Sequence, residues 1–202
     1  MSPSISETIA ALDEGRTSLQ KLLALRRQLK APFRLHPLGF IACTLLSEGP
    51  RKVRLHYWPV TGGAQQSPDC QIHDHLFEFK SWVFAGTVQN IEYTISESGC
   101  ELAEYRTDYM DDLSILSKTG RTLRLAEARR TTYCAGSTYN LAAGVLHETL
   151  RLGGEPAFTV LFANEVSAAP PLVLGPRDGK SQYVYRRERL EESVAERIFA
   201  WA

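Results

Sequence analysis

The sequence predicts a mainly β protein, a sandwich or barrel flanked by helices at its two ends. Three observations predict it. Short apolar runs separated by turn residues occupy about residues 39–165. Segments with helical spacing of apolar residues stand before and after these runs. No apparent strand is followed by a glycine-rich phosphate loop, so a nucleotide-binding α/β fold is not favoured.

The N-terminal segment, residues 1–35, is predicted to be helical between residues 4 and 30. Leucine and isoleucine recur there at mixed three- and four-residue spacings, which is typical of a helix with one apolar face. Gly15 is expected to divide the segment into two shorter helices. Pro32 and Pro37 then end it, because proline cannot continue a helix and restricts the residue before it.

The β barrel is assigned to residues 39–167. In KVRLHYWPV, alternate residues fall on opposite faces of a strand, Val53, Leu55 and Tyr57 on one and Arg54, His56 and Trp58 on the other. TGGAQQSPDC, residues 61–70, predicts a loop. Further strands are predicted in FKSWVFAGTVQNIEYTI, which is divided at Gly86, and in TLRLAEARRTTYCAG and AFTVLFANEV.

Residues 168–202 are predicted to be a connector and a closing helix. AAPPLVLGP, residues 168–176, has the prolines of a connector. RRERLEESVAER, residues 186–197, mixes both signs of charge, which is typical of a solvated helix face. The chain shows no internal repeat, and its length suits one domain over residues 1–202.

Composition argues against several function classes. Lys plus Arg and Asp plus Glu both number 23, so charge gives no reason to expect nucleic acid or an anionic membrane as partner. No stretch approaches the ~18 apolar residues that a membrane span needs. The first residues lack the pattern of a secretory signal, and the four cysteines stand singly. We therefore expect free thiols and a cytoplasmic location.

Two of the five histidines lie close together in QIHDHLFEFKSWVFAG. On a strand, His73 and His75 would point to one face with their Cα atoms about 6.5–7 Å apart. Neutral imidazole is a good ligand for iron, zinc, copper and nickel. His147, which follows a glycine-containing turn, is the best third ligand. His36 lies in a proline-bounded loop and fits less well, whereas His56 is a candidate to line the same cavity.

The stretch HDHLFEFKSWVFAG resembles the first motif of the cupin superfamily: H-x-H, three or four residues, glutamate, six residues and glycine. His73, His75 and Gly86 match this spacing. The family's glutamate would fall at Phe79, but the glutamate of this chain is Glu78, which on a regular strand faces away from the histidines. A bulge would restore it. The ligand set is therefore three histidines or three histidines plus Glu78, and we favour the first.

The stretch AAGVLH resembles the end of the second cupin motif, P-x-G-x-x-H, with Ala142 in place of proline before Gly144 and His147. The resemblance covers about residues 53–165. It implies a double-stranded β-helix, or jelly-roll barrel, with flanking N- and C-terminal helices. A homodimer formed through an edge strand is common in such barrels.

Within the cupins, the helical N-terminus, the IHDH pair without the family's glutamate and HETLRLGGEPAFTVLFANE resemble the thiol dioxygenases, the cysteine dioxygenase group. This resemblance implies a non-heme Fe(II)-dependent dioxygenase or related oxygenase that uses O2 on a small polar substrate, a thiol or amino-acid-like molecule. The group's catalytic tyrosine would fall near Phe162 or Asn164. We therefore expect related chemistry on a different substrate.

Two further residues are candidates for catalysis. Arg54 is suited to bind a substrate carboxylate through two hydrogen bonds, or else is a solvent-facing strand residue. Tyr139, just before the second motif, is suited to donate a hydrogen bond to bound oxygen, or else packs in the core.

Two other functions stay open at this point. One is a non-redox isomerase, lyase or hydrolase with Zn, Mn or Ni as a Lewis acid. The other is a non-catalytic ligand-binding cupin. The chain shows no helix-turn-helix pattern and no basic patch, so a DNA-binding regulator is not favoured.

Overall fold

The computed structural model describes residues 3–61 and 70–199, and this part of the chain is mainly β. Most of the predicted loop at residues 61–70 therefore lies outside the described residues. The strands, in chain order, are β1 (Arg34–Leu35), β2 (Ile41–Glu48), β3 (Arg51–Trp58), β4 (Phe77–Ala85), β5 (Thr87–Met110), β6 (Leu113–Cys134), β7 (Thr138–Leu141), β8 (His147–Leu152), β9 (Ala157–Glu165), β10 (Leu172–Gly175) and β11 (Gln182–Arg186).

The N-terminal segment forms two helices, as predicted: α1 (Ile5–Asp13) and α2 (Leu19–Leu29). Gly15 lies between them with φ +64°, a conformation that glycine adopts without strain. Ser4 and Ser18 cap the two helices, because each side chain accepts a hydrogen bond from a backbone N–H of the first turn. None of the helices in the described residues is long and apolar enough to cross a membrane.

A six-stranded antiparallel sheet has the order β1-β2-β3-β9-β4-β7. The alternation predicted for β3 is confirmed. Val53, Leu55 and Tyr57 are buried against α1 and α2 in one apolar cluster. Arg54, His56 and Trp58 face the other way, into a cavity. One face of this sheet therefore packs against helices, and the other face lines a cavity.

A second antiparallel sheet has the order β10-β5-β6-β11, and β8 also pairs with β5. Its centre is the hairpin of β5 and β6, whose strands of 24 and 22 residues are much longer than the short strands that the sequence predicts. Strands β8 and β10 pair with successive parts of β5. Residues of both sheets line the cavity, so the two sheets face each other.

The segment after residue 167 is not the simple connector that the sequence predicts. Its prolines flank two strands instead of excluding them, because β10 begins after Pro171 and ends before Pro176. Strands β10 and β11 then extend the long hairpin at its two edges. The closing helix is confirmed as α3 (Glu192–Ile198), and residues 200–202 lie outside the described part of the chain. No disulfide joins any of the four cysteines in the part of the chain that the structure describes, as expected.

Gly86 joins β4 to β5 at φ +67°, and a Cβ atom there would lie 2.3 Å from the carbonyl oxygen of Pro156. We expect Gly86→Ala to lower the free energy of unfolding by more than about 2 kcal/mol, since it adds this collision to the cost of a left-handed residue, roughly 1–2 kcal/mol. Gly120→Ala is the matched control, because Gly120 has φ +84° with no atom near the added Cβ. Equal losses in urea denaturation would contradict the close approach at Gly86.

Candidate metal centre

The two motif segments are joined by their backbones. The N–H of His73 donates to the carbonyl of His147 at 2.9 Å, and the N–H of His147 donates to the carbonyl of His73 at 2.8 Å. His147 begins β8. His73 and His75 precede β4, so they do not lie on a continuous strand, which differs from the sequence prediction. This isolated bridge, and not a continuous strand, therefore fixes the register between the first two imidazoles and the third.

The three imidazoles converge. Their ring centroids lie 4.7 Å apart for His73 and His75, 4.6 Å for His73 and His147, and 4.9 Å for His75 and His147. One ring nitrogen of each lies within 4.8 Å of the others. Among the described residues, this group contains no carboxylate and no thiolate. Three imidazole nitrogens suit a divalent transition metal such as iron, zinc or nickel.

Backbone carbonyls orient two of the rings. Nδ1 of His73 lies 2.7 Å from the carbonyl oxygen of Gln71, and Nδ1 of His147 lies 2.9 Å from that of Val145. A carbonyl oxygen only accepts, so Nδ1 carries the proton in both rings and Nε2 keeps its lone pair. Metal-binding histidines are commonly held in this way by an outer hydrogen bond.

Burial keeps these histidines neutral. It lowers the pKa of His147, which is 2% exposed, to about 3. Burial also lowers the pKa of His73, and it lowers that of His75 well below the usual value, with the neighbouring histidines adding to the effect. Neutral imidazole is the form that binds a metal, so these ligands need not lose a proton at neutral pH.

The histidines open onto a cavity of about 410 Å³ between the two sheets. This volume is at the small end for a ligand site and suits a small molecule. Phe77 and Phe79 form the apolar wall of the cavity next to the three histidines. His75 stacks on Phe77 with ring centroids 4.3 Å apart. His56 also lines the cavity, as the sequence suggests.

Glu78 does not join the histidines. Strand β4 keeps a regular register from Phe77 to Val83, so no bulge turns Glu78 inward. Its side chain is exposed on the opposite face of the sheet, where Asn164 donates a hydrogen bond to it at 3.1 Å. The alternative ligand set that includes Glu78 is therefore not formed.

Arg54 lies in the cavity wall and does not face bulk solvent from the outer side of the sheet. Its guanidinium lies 5.1 Å from the centre of the Phe77 ring. Within residues 3–61 and 70–199, no carboxylate forms an ion pair with it. The structure thus places an unneutralised cation beside the three histidines, which suits an anionic group on a ligand.

Tyr139 lies in the cavity wall beside Phe79. It is buried on β7 and stacks on Tyr133 with ring centroids 4.3 Å apart. Phe79 contacts both Tyr139, at 5.8 Å between ring centroids, and His147, at 6.1 Å. Burial raises the pKa of Tyr139 to about 12, so its hydroxyl stays protonated. Tyr139 therefore packs in the apolar core and also lines the cavity.

Comparison with known proteins adds no family. No protein-family model matches the chain, and no curated protein matches it either.

His36, Thr107 and Arg187 are among the cavity residues that were not predicted as site residues. Arg187 falls in the segment predicted to be a solvated helix face, but it follows β11 and points into the cavity wall. Burial alternates along this segment, with Tyr183, Tyr185 and Arg187 more buried than their neighbours. The alternation of SQYVYRR was therefore the sequence signal that places Arg187 on an inner face.

Proposed function

We propose that the protein is a cupin-type, non-heme Fe(II)-dependent oxygenase whose metal is held by His73, His75 and His147. The observation that carries this proposal is the convergence of three neutral imidazoles, one buried and two half-buried, on a small cavity without a carboxylate ligand. Two facing antiparallel sheets agree with a jelly-roll barrel. The spacing of the motifs, which resembles that of the thiol dioxygenases, supports the same conclusion.

An Fe(II) ion held by these three neutral imidazoles would keep its +2 charge and would supply redox chemistry with O2. The chain's own residues prepare the cavity for this chemistry. The carbonyls of Gln71 and Val145 hold two of the rings in the metal-binding tautomer. Phe77 and Phe79 give the cavity an apolar wall beside the histidines.

The position and charge of Arg54 support a small anion as the substrate. Its guanidinium presents donors to the cavity and has no carboxylate partner in the described residues. A bidentate hydrogen bond from arginine to a carboxylate would both bind such a substrate and orient it toward the histidines. A thiol or amino-acid-like molecule with a carboxylate fits this description and the size of the cavity.

A non-redox, metal-dependent reaction is the second candidate, because three imidazoles are also a ligand set of catalytic zinc. In that case the ion would act as a Lewis acid on the same anionic substrate. In this candidate too the ion would have no carboxylate from Glu78, since Glu78 lies on the outer face.

Metal content and O2 consumption test the proposal. The protein, purified without added metal and then reconstituted anaerobically with Fe(II), is offered a panel of small thiols and amino acids while O2 is recorded. We expect substrate-dependent uptake with Fe(II) but not with Zn(II), and its loss in His73→Ala. Glu78→Gln, a change on the outer face of the same segment, should keep full activity. Turnover without O2 uptake in the Zn(II) protein would instead support the non-redox candidate.

A further inference from the structure

We infer that the ligand of this cavity carries two negative charges, held between Arg54 and Arg187. This inference rests on the proposed function for the place of the ligand, and it deepens that function by naming the substrate class. The class is a small dianion, either a dicarboxylate or a molecule with a phosphate group.

The first argument is the charge of the cavity wall. Four cationic side chains line it, and two of them are paired: Arg34 with Asp112, and Lys52 with Glu165. Among the residues that the structure describes, Arg54 and Arg187 have no carboxylate partner. The three metal-site histidines are neutral and add no charge. Asp74 also lines the cavity; its carboxylate is held by the backbone N–H of Leu172 at 2.6 Å and, among the described residues, forms no ion pair with Arg54 or Arg187.

The second argument is the placement of the two guanidinium groups. Arg54 lies on β3 of the six-stranded sheet, over the ring of Phe77. Arg187 follows β11 of the other sheet, with its guanidinium 4.7 Å from the centre of the Tyr109 ring. Its Nε donates to the hydroxyl of Ser114 at 2.8 Å. The two groups thus come from opposite walls of one cavity, each held against an aromatic face.

The third argument is a buried hydroxyl without a partner. Thr107 is 5% exposed and lines the same cavity, and its Oγ1 has no hydrogen-bond partner in the described structure. Buried hydroxyl groups are nearly always paired, so this hydroxyl in the cavity wall is a donor that a bound acceptor, a ligand oxygen or a water molecule, would satisfy.

A neutral histidine adds a further donor. Nδ1 of His36 accepts the backbone N–H of Leu38 at 3.2 Å, so the proton of this neutral ring lies on Nε2. The ring lines the cavity. Two guanidinium groups, one hydroxyl and one imidazole N–H therefore supply hydrogen-bond donors to one space, and the complementary ligand is an oxyanion. A single carboxylate would neutralise only one of the two guanidinium groups, which is why we infer two charges.

The test is calorimetric titration of the metal-free, full-length chain with acetate, malonate, succinate and inorganic phosphate at constant ionic strength. The metal is removed so that the anions cannot bind by coordinating the ion. We expect malonate, succinate or phosphate to bind at least about tenfold more tightly than acetate, since a hydrogen-bonded charge contributes about this much. Equal affinity for acetate and all three dianions would overturn the inference.

Matched variants locate the binding site. Arg54→Gln and Arg187→Gln should each lower the affinity for the best dianion by about tenfold or more and reduce its advantage over acetate. Arg186→Gln makes the same change of charge at the exposed neighbouring residue and should leave the affinity unchanged. If Arg186→Gln weakens binding as much as Arg187→Gln, or if only Arg54→Gln weakens it, the two-arginine site is wrong.

Thr107→Val separates a ligand-binding role from a structural one. The hydroxyl has no partner within the described protein, so its removal should leave the melting temperature unchanged or raise it, while it weakens dianion binding severalfold. A lower melting temperature with unchanged binding would contradict this role. Because no metal is present, these results are independent of O2 uptake. Fe(II)-dependent oxidation of a monoanion without any preference for dianions would sink this inference and leave the proposed function standing.

Discussion

His147→Ala is expected to lower the affinity for Zn(II) or Fe(II) by more than a hundredfold and to abolish any metal-dependent activity. The loss of an outer hydrogen bond to a ligand already costs about 10–100-fold in metal affinity, and this change removes the ligand itself. Two imidazoles then remain, because the described residues offer no carboxylate or thiolate at the same point. Competition with a chelating dye measures the change.

Two further variants keep this result interpretable. His147 is buried, so His147→Gln, which keeps most of the side-chain volume and a polar group, should lose metal binding while circular dichroism shows an intact fold. His56→Phe removes another buried histidine of the same cavity and should leave metal affinity unchanged. Wild-type affinity in His147→Gln, or its loss in His56→Phe, would show that the ligands have been assigned wrongly.

Phe199→Ala is expected to lower the free energy of unfolding by about 3–5 kcal/mol, the usual cost of emptying a large buried aromatic position. Phe199 is 3% exposed, immediately after α3. Its ring centroid lies 4.5 Å from that of Phe33, 5.1 Å from that of Tyr57 and 6.0 Å from that of Phe158. Truncation would leave a void between α3 and the helical face of the six-stranded sheet. Urea denaturation measures the loss.

The control for Phe199 is Ile95→Ala, because Ile95 is 66% exposed on the long hairpin. That substitution should change stability by no more than about 0.5 kcal/mol. The Phe199 cluster lies on the opposite side of the six-stranded sheet from the cavity. At temperatures where Phe199→Ala remains folded, its metal affinity should therefore equal that of the wild type. A parallel fall in metal affinity would contradict this separation of core and site.

The metal group was predictable from sequence because its signals are local. The candidate ligands are indicated by two histidines at a spacing of two, with Gly86 after them, and by a third histidine that follows a glycine-containing turn. Strand alternation likewise predicts that Arg54 shares a face with His56. The sequence left one question open, which was whether Glu78 is a ligand. Its exposure follows from the same alternation, because β4 has no bulge before Val83.

The remaining site depends on pairings between distant segments. Strand β10 looks like a connector because prolines bound it, and only its pairing with β5 makes it a strand. Arg187 enters the cavity because β11 pairs with β6, and a single sequence does not reveal that register. The unpaired hydroxyl of Thr107 is visible only in three dimensions, since nothing in the sequence shows which hydroxyl groups lack a partner.

X-ray absorption at the zinc edge of protein loaded with one equivalent of Zn(II) tests the account most directly. The predicted spectrum shows three imidazole nitrogens at about 2.0–2.1 Å from the metal, and His147→Gln should leave two. A sulfur ligand, or no more than one imidazole in the wild type, would contradict the account.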